Sequence, residues 1–155
     1  MQKFVLVDFN GVVNNPLISS NSFHVSHKIK EEICLKKMKI LMEFVVKHNA
    51  IPISVSSFSS DFSFLEFGFL LEEEYPELAQ SFEELFLQGM EYHVFSFDKA
   101  TINKKLLESL KNCIIVCFED QFTFDSSFNQ IWTNPDEGLT KQHIQQAENI
   151  FKKGI

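Results

Sequence analysis

The chain has 155 residues, the length of one ordinary domain, and we interpret residues 1–155 as a single unit. Hydrophobic residues make up 45% and charged residues 23%, a composition that excludes a disordered tail, a collagen-like fibre and a disulfide-stapled miniprotein. The net charge is −7 and all fourteen basic residues are lysines, which argues against nucleic acid as a partner, because arginine is the usual bidentate ligand of phosphate.

The first third of the chain has the pattern of a strand, a helix and a second strand. Phe4 to Val7 is a short apolar run that ends in Asp8-Phe9-Asn10-Gly11, which is typical of a buried strand stopping in a polar turn. Apolar residues at helical spacing between Ile29 and Val45 predict a long amphipathic helix that ends near His48. Ile51 to Ser57 predicts the second strand, and this order of elements predicts a parallel βαβ unit.

The second half continues the alternation of strands and helices. In chain order we expect a strand or an extended lead-in at Tyr92–Phe97, a helix at Thr101–Lys111 with Thr101 as N-cap, a buried strand at Cys113–Phe118, a last strand at Gln130–Thr133 and a final helix at Thr140–Lys152. The sequence therefore predicts an α/β fold with an open, mainly parallel, doubly wound sheet and helices on both faces.

The segment at about 58–95 interrupts this alternation and contains eight of the eighteen phenylalanines. It includes two helix-like pieces, around residues 65–74 and 76–88, and the second has Pro76 at its start and Gly89 at its end. Three interpretations remain open: the phenylalanines cover the sheet, line an apolar pocket, or form a contact with a second copy or a protein partner. Coverage of the sheet is the interpretation we favour.

The protein is expected in the cytoplasm, without membrane contact. No apolar run reaches the roughly 18 residues that a spanning helix needs, and the N-terminus leads directly into the first predicted strand. The three cysteines are an odd number on a predicted helix and strand, so we expect them to be reduced core residues.

Polar side chains end the predicted strands, where ligands of an open parallel sheet bind. Hydroxyl and carboxylate oxygens with one ammonium group suit Mg²⁺ and a phosphoryl group, since the oxygens ligate the metal and the ammonium offsets phosphate charge. The residues at these positions are Asp8 and Asn10, Ser56 and Ser57, Glu119 and Asp120, and Lys99 ahead of the strand that ends in Glu119.

These residues occur in segments that resemble the motifs of the haloacid dehalogenase (HAD) superfamily. The first motif is similar to FVLVDFNGVV at residues 4–13, the second to ISVSS at 53–57, the third to Lys99, and the acidic fourth to IIVCFED at 114–120. The segment IWTNPDEGLT at 131–140 resembles the end of small capless HAD domains, including those of bacterial RNA-repair proteins. The resemblance implies a Rossmann-like sheet without a large cap domain, with the segment at 58–95 as an insertion.

The resemblance also implies Mg²⁺-dependent phosphoryl transfer through an aspartyl phosphate. Asp8 would be nucleophile and metal ligand, and Asn10 would give the metal its backbone carbonyl. The remaining implied roles are phosphoryl binding by Ser56, or Ser57 in its place, charge neutralisation by Lys99, or Lys104 in its place, and metal coordination by Glu119 and Asp120. The expected substrate is a small or exposed phosphomonoester.

Asn10 departs from the HAD pattern, because phosphatases of the superfamily have an aspartate there that acts as general acid and base. An amide can do neither, and such help is typically worth about 10²–10⁴-fold in rate. Three interpretations follow: a weak or specialised phosphatase, a phosphotransferase that does not need the acid, and a catalytically silent fold that binds a protein or ligand. The tail resemblance adds an RNA end as a further substrate candidate, against which the charge argues.

Overall fold

The structure is a computed structural model that describes residues 1–8, 12–13, 27–55, 72–96, 98–134 and 136–154. For residues 27–34 it describes the backbone alone. The predictions for Asn10, Ser56 and Ser57, and for residues 58–71 of the Phe-rich segment, lie outside these ranges.

The described elements alternate between strands and helices along the chain. The strands are β1 (Lys3–Val7), β2 (Ile51–Ser54), β3 (Ile114–Glu119) and β4 (Gln130–Trp132). The helices are α1 (His27–Lys47), α2 (Pro76–Gly89), α3 (Lys99–Ser109) and α4 (Lys141–Lys153), with short 3₁₀ helices at Met90–Tyr92 and Ser126–Phe128. The predicted α/β fold is confirmed at this level.

The strands pair in parallel in the order β2-β1-β3-β4. In register, Val7 of β1 lies between Ser54 of β2 and Phe118 of β3, and Glu119 pairs with Trp132 of β4. The chain passes from β1 to β2 on one side and then returns to form β3 on the other side of β1. The strand order therefore reverses at β1, and such a point opens a crevice outside the carboxyl ends of the two central strands, β1 and β3.

Helices cover both faces of the sheet, as the sequence predicted. On one face, α1, α2 and α4 pack on alternate residues of β1 and β3, including Val5, Val7, Val116 and Phe118. On the other face, α3 packs on the remaining residues through Ile102 and Leu106. Alternate side chains of a central strand thus enter two separate hydrophobic clusters, and this accounts for the continuous apolar sequence of β1 and β3.

The helix that leads into β3 begins earlier than predicted. Its N-cap is Asp98, whose carboxylate accepts a hydrogen bond from the backbone N–H of Ala100 at 3.2 Å. Thr101, the predicted N-cap, lies within the helix and donates its hydroxyl to Asp98 at 2.9 Å. The prediction of Thr101 was wrong because Asp98, three residues earlier, provides the stronger acceptor for the free amides. As a result, Lys99 is the first residue of α3.

The stretch at 92–96, predicted as a strand or an extended lead-in, joins no sheet in the described structure. It follows the 3₁₀ helix at Met90–Tyr92 and becomes extended at His93. The ring of Tyr92 packs edge-on against Phe4 of β1 at 5.1 Å between centroids, on the same face as α3. Of the two predicted alternatives, the described residues therefore show no strand, and the backbone at His93 agrees with an extended lead-in.

The described part of the Phe-rich segment covers the sheet, as favoured from the sequence. Phe82 of α2 is buried in the cluster that α2 forms with α1, and Phe86 packs against the same cluster. The close approach of α2 to β2 requires Gly89, because a Cβ there would lie 2.5 Å from the carbonyl oxygen of Pro52. Phe95, in contrast, is exposed.

A turn after β4 holds the chain that follows β1. Leu139 donates its backbone N–H to the carbonyl oxygen of Val12 at 2.7 Å. Gly138 has a φ of 68°, and a Cβ there would lie 2.5 Å from the same oxygen. Val12 and Val13 are fully buried, so the turn after β4 fixes the described chain at these two residues.

Candidate functional site

Asp8 lies at the carboxyl end of β1, in the crevice between β1 and β3. Its backbone N–H donates to the carbonyl oxygen of Phe118 at 2.9 Å, which extends the ladder between the two strands by one residue. The residue is only 5% exposed. The sheet therefore fixes the Asp8 backbone, and the carboxylate points from a rigid position toward the end of β3.

Glu119 is the last residue of β3 and is fully buried. Its Oε1 accepts hydrogen bonds from the backbone N–H groups of Asp120, Gln121 and Phe122 at 3.2, 3.1 and 3.4 Å. The sequence predicted an acidic residue here, but it did not predict these three bonds to the following turn. These hydrogen bonds depend on how the chain turns after β3, and the residue types at 120–122 do not predict that turn.

Lys99 approaches the two carboxylates from the first turn of α3. Its ammonium Nζ lies 3.2 Å from Oδ2 of Asp8 and 3.0 and 2.8 Å from Oε1 and Oε2 of Glu119. The Asp98 cap sets where α3 begins and so places Lys99 at the edge of the sheet. Lys104 is exposed on the same helix, so Lys99 and not its alternative reaches the carboxylates.

The electrostatics of the cluster favour a bound proton or cation. Burial of Asp8, reinforced by the negative charge of Glu119, raises its pKa to about 8, although Lys99 acts in the opposite direction. Burial also raises the pKa of Asp120, which hydrogen-bonds to Asp8. Burial opposes the charge of Lys99, but Asp8 and Glu119 outweigh it and raise the pKa of the ammonium. One ammonium thus contacts two carboxyl groups, Asp8 and Glu119, while Asp120 hydrogen-bonds to Asp8, and the three carboxyl groups cannot all be ionised at low cost.

The donor set fits a hard divalent cation. Asp8, Glu119 and Asp120 each offer a carboxylate oxygen, and these oxygens lie within 4.8 Å of one another. Mg²⁺ prefers oxygen ligands and often binds through one or two carboxylates together with substrate phosphate. The chemistry of the cluster therefore allows a divalent cation, and its crowded negative charge would be relieved by one.

The structure brings together four of the predicted site residues, Asp8, Lys99, Glu119 and Asp120. The others, Asn10, Ser56 and Ser57, lie outside the described residues. Val55, the last described residue before the two serines, donates its backbone N–H to the carbonyl oxygen of Val7 at 2.9 Å. Val55 thus continues the pairing of β2 with β1 by one residue. Sequence reasoning missed Asp98, although an aspartate before Lys-Ala-Thr is itself an N-cap signal.

Comparisons of this chain with protein-family models, with curated proteins and with solved structures found no match. None of the helices in the described ranges combines the length and the apolar character that crossing a membrane requires.

Proposed function

We propose that the protein is a Mg²⁺-dependent phosphohydrolase or phosphotransferase of the HAD type, with a Rossmann-like fold, acting on a small phosphomonoester through an aspartyl phosphate. The observation that carries the proposal is the placement of Asp8, Lys99, Glu119 and Asp120 around one crevice. This crevice lies at the carboxyl edge of a parallel sheet where the strand order reverses, the usual ligand position in such sheets. The resemblance of the four sequence motifs gives independent support.

In the proposed reaction, Asp8 is the nucleophile. An Asp8 oxygen bonds to phosphorus, the bond from phosphorus to the ester oxygen breaks, and the departing alkoxide takes a proton from water. A second water then attacks phosphorus, its proton passes to the hydroxide left by the first step, the bond to Asp8 breaks and inorganic phosphate leaves. The rigid backbone of Asp8 at the end of β1 supports this role, because covalent catalysis needs the nucleophile held in line with the leaving group.

Positive charge at the site is required for Asp8 to act. A carboxyl with a pKa near 8 is largely protonated at neutral pH and a protonated carboxyl is a poor nucleophile. Lys99, at 3.2 Å, already lowers this pKa but does not outweigh burial, and it would also offset the charge of the entering phosphoryl group. A bound Mg²⁺ would add Lewis-acid neutralisation of the same charge, held by the carboxylates of the cluster.

Asn10 makes the proposed enzyme weak or specialised. Without an acid at this position the leaving group must depart unprotonated, so esters of acidic alcohols should react best. Transfer to an acceptor other than water is the phosphotransferase version of the same chemistry. The silent alternative, a binding module that retains the cation site, follows from the same residue.

The test compares Mg²⁺-dependent hydrolysis of an activated aryl phosphate by the parent, by Asn10→Asp and by Asp8→Ala. We expect slow turnover by the parent, none by Asp8→Ala, and faster turnover by Asn10→Asp, with a gain of up to about 10²-fold that is larger on an alkyl phosphate. Activity of Asp8→Ala equal to that of the parent would exclude Asp8 as the nucleophile. Turnover by Asn10→Asp alone would favour the binding module, and silence of both would contradict the phosphatase proposal.

A further inference from the structure

We infer that Trp132 is a specificity-determining residue whose indole stacks on an aromatic ring of the substrate, and that the substrate class is the phosphate monoester of a phenol. The inference rests on the proposed function and names the leaving group that this site would accept. Trp132 is the last residue of β4, the strand next to β3. The proposed reaction gives it no role.

Trp132 lies in one row with Asp8 and Glu119 at the carboxyl edge of the sheet. Glu119 pairs with Trp132 in register. The backbone N–H of Asp8 extends the ladder between β1 and β3 by one residue, so Asp8 lies opposite Glu119 on its other side. Neighbouring strands are about 4.8 Å apart, which places the backbones of Asp8 and Trp132 about 10 Å apart.

The three side chains of this row project to the face of the sheet that α3 covers. Side chains alternate between the two faces along a strand, and Ile131 enters the cluster on the opposite face. Gln130, two residues before Trp132, hydrogen-bonds to the chain at 122–124, which packs on the α3 face. The two carboxylates of the row are on this face as well, because they contact the first residue of α3.

The indole is open to a ligand. Trp132 is 48% exposed, although tryptophan is on average strongly buried. β4 is the last strand of the described sheet, so within the described residues no further strand covers its outer edge. An exposed aromatic ring beside a buried ionic site suits a substrate that combines a charged group with a flat apolar one.

The distance along the row restricts the substrate. Side chains of a strand stand roughly perpendicular to the sheet, so the backbone spacing of about 10 Å approximates the spacing of the groups they carry. A phosphorus in line with Asp8 lies about 3 Å from its oxygen, and a stacked ring lies about 3.5 Å from the indole. The remaining span, on the order of 4 Å, fits one bridging oxygen between phosphorus and ring and is too short for the sugar of a nucleotide.

The chemistry of the leaving group points to the same class. The proposed reaction lacks a general acid at Asn10, so the ester oxygen leaves unprotonated. A phenol is a much stronger acid than an aliphatic alcohol and leaves more readily as its anion. Stacking of its ring on Trp132 should also tighten binding, by about two- to tenfold.

The test measures binding and therefore does not depend on turnover. Benzylphosphonate and ethylphosphonate are stable analogues with a CH₂ group in place of the ester oxygen, one with a ring and one without. In calorimetric titration of the full chain with Mg²⁺, we expect the parent to bind benzylphosphonate at least fivefold more tightly than ethylphosphonate. Trp132→Ala should remove this difference and retain the affinity for ethylphosphonate, which also shows that the variant folds, and Trp132→Phe should keep most of the difference.

Leu87→Ala is the matched control and should leave both affinities unchanged. Leu87 is 61% exposed near the end of α2, which approaches Pro52 at the start of β2, at the opposite edge of the sheet. Equal affinities of the parent for the two phosphonates would overturn the inference and leave the proposed function standing. A preference for benzylphosphonate that survives in Trp132→Ala, or the loss of both ligands in that variant, would have the same consequence.

Two further outcomes separate the substrate class from the proposed function. A nucleoside 5′-monophosphate that binds the parent more tightly than benzylphosphonate would overturn the phenol class. A parent chain that binds neither phosphonate at millimolar concentration with Mg²⁺ would overturn both the inference and the proposed function.

Kinetics with phenyl phosphate give a second readout. The stacking contact is made equally in the ground state and in the transition state, so Trp132→Ala should raise KM about two- to tenfold and keep kcat within about twofold of the parent. A fall in kcat at unchanged KM would contradict a role in substrate binding.

Discussion

Replacement of Asp8 by asparagine should stabilise the metal-free protein, and the gain should increase with pH. The pKa of the Asp8 carboxyl is raised from its ordinary value of 3.8 to about 8, mainly because burial penalises the charged form. In the unfolded chain the group ionises near 3.8. Folding at neutral pH must therefore either bind a proton or bury a charge, and both lower stability. The asparagine side chain has nearly the same shape and avoids this cost.

The direction and the size of the pH effect on the free energy of unfolding follow from the difference between the folded and unfolded pKa of Asp8. Because the folded pKa lies above the unfolded value, stability is highest at low pH and is lost between about pH 4 and pH 8. Within that window each pH unit costs about 1.4 kcal/mol, so the parent should lose roughly 2.7 kcal/mol between pH 5 and pH 7 through this group. Asp8→Asn should not show this loss.

The assay is urea unfolding of the parent and Asp8→Asn at pH 5, 6 and 7 in EDTA, read by circular dichroism. The advantage of the variant should grow by roughly 2 to 3 kcal/mol over this range. Glu108→Gln, at an exposed position of α3, is the matched control and should show no such trend. Excess Mg²⁺ should reverse the advantage, since a cation favours the ionised carboxylate. An advantage of Asp8→Asn that is equal at pH 5 and pH 7 would refute the reasoning.

Three further substitutions test the framework that positions the site. Gly138→Ala should destabilise the protein by about 2 kcal/mol and lower activity, because its φ is 68° and its Cβ would meet the carbonyl oxygen of Val12. An unchanged melting temperature would contradict the view that this turn fixes Val12. Gly89→Ala should destabilise the protein by about 1–3 kcal/mol, because its Cβ would meet the carbonyl oxygen of Pro52. This loss should exceed the gain from the better helix propensity of alanine. A variant that is more stable in urea unfolding would show that α2 has room to shift. Leu106→Ala, at a fully buried position of α3, should cost about 2–5 kcal/mol, and a loss below 1 kcal/mol would mean that α3 is not part of the cooperative core.

Much of the fold could be predicted because its strands are buried on both faces. Such strands appear as short apolar runs that end in polar residues, and parallel pairing then brings those ends to one edge. Asp8 and Glu119 were found in this way, since each follows from where an apolar run stops. Lys99 was expected at the site from its place ahead of β3 and from the motif resemblance, but its contacts with both carboxylates could be read only from the structure.

The predictions that failed depended on competition between local signals and tertiary packing. Asp98 and Thr101 are both good N-cap residues, and the sequence alone does not show which of them caps the helix. For the run from Tyr92 the sequence left a strand and an extended lead-in open, and only the packing of Tyr92 against Phe4 shows why no strand pairing forms. The three backbone hydrogen bonds to Glu119 could not be predicted either, because they depend on how three consecutive amides turn toward one oxygen.

The pairing of β3 with β4 places an intrinsic fluorophore, Trp132, at the end of β3. Trp132 is the only tryptophan in the sequence, it is 48% exposed, and it lies in register beside Glu119 on the neighbouring strand. Its emission should therefore respond to events at the end of β3 without any label or engineered probe. We expect cation binding, phosphate binding and unfolding each to change this one fluorescence signal, recorded from the unmodified chain.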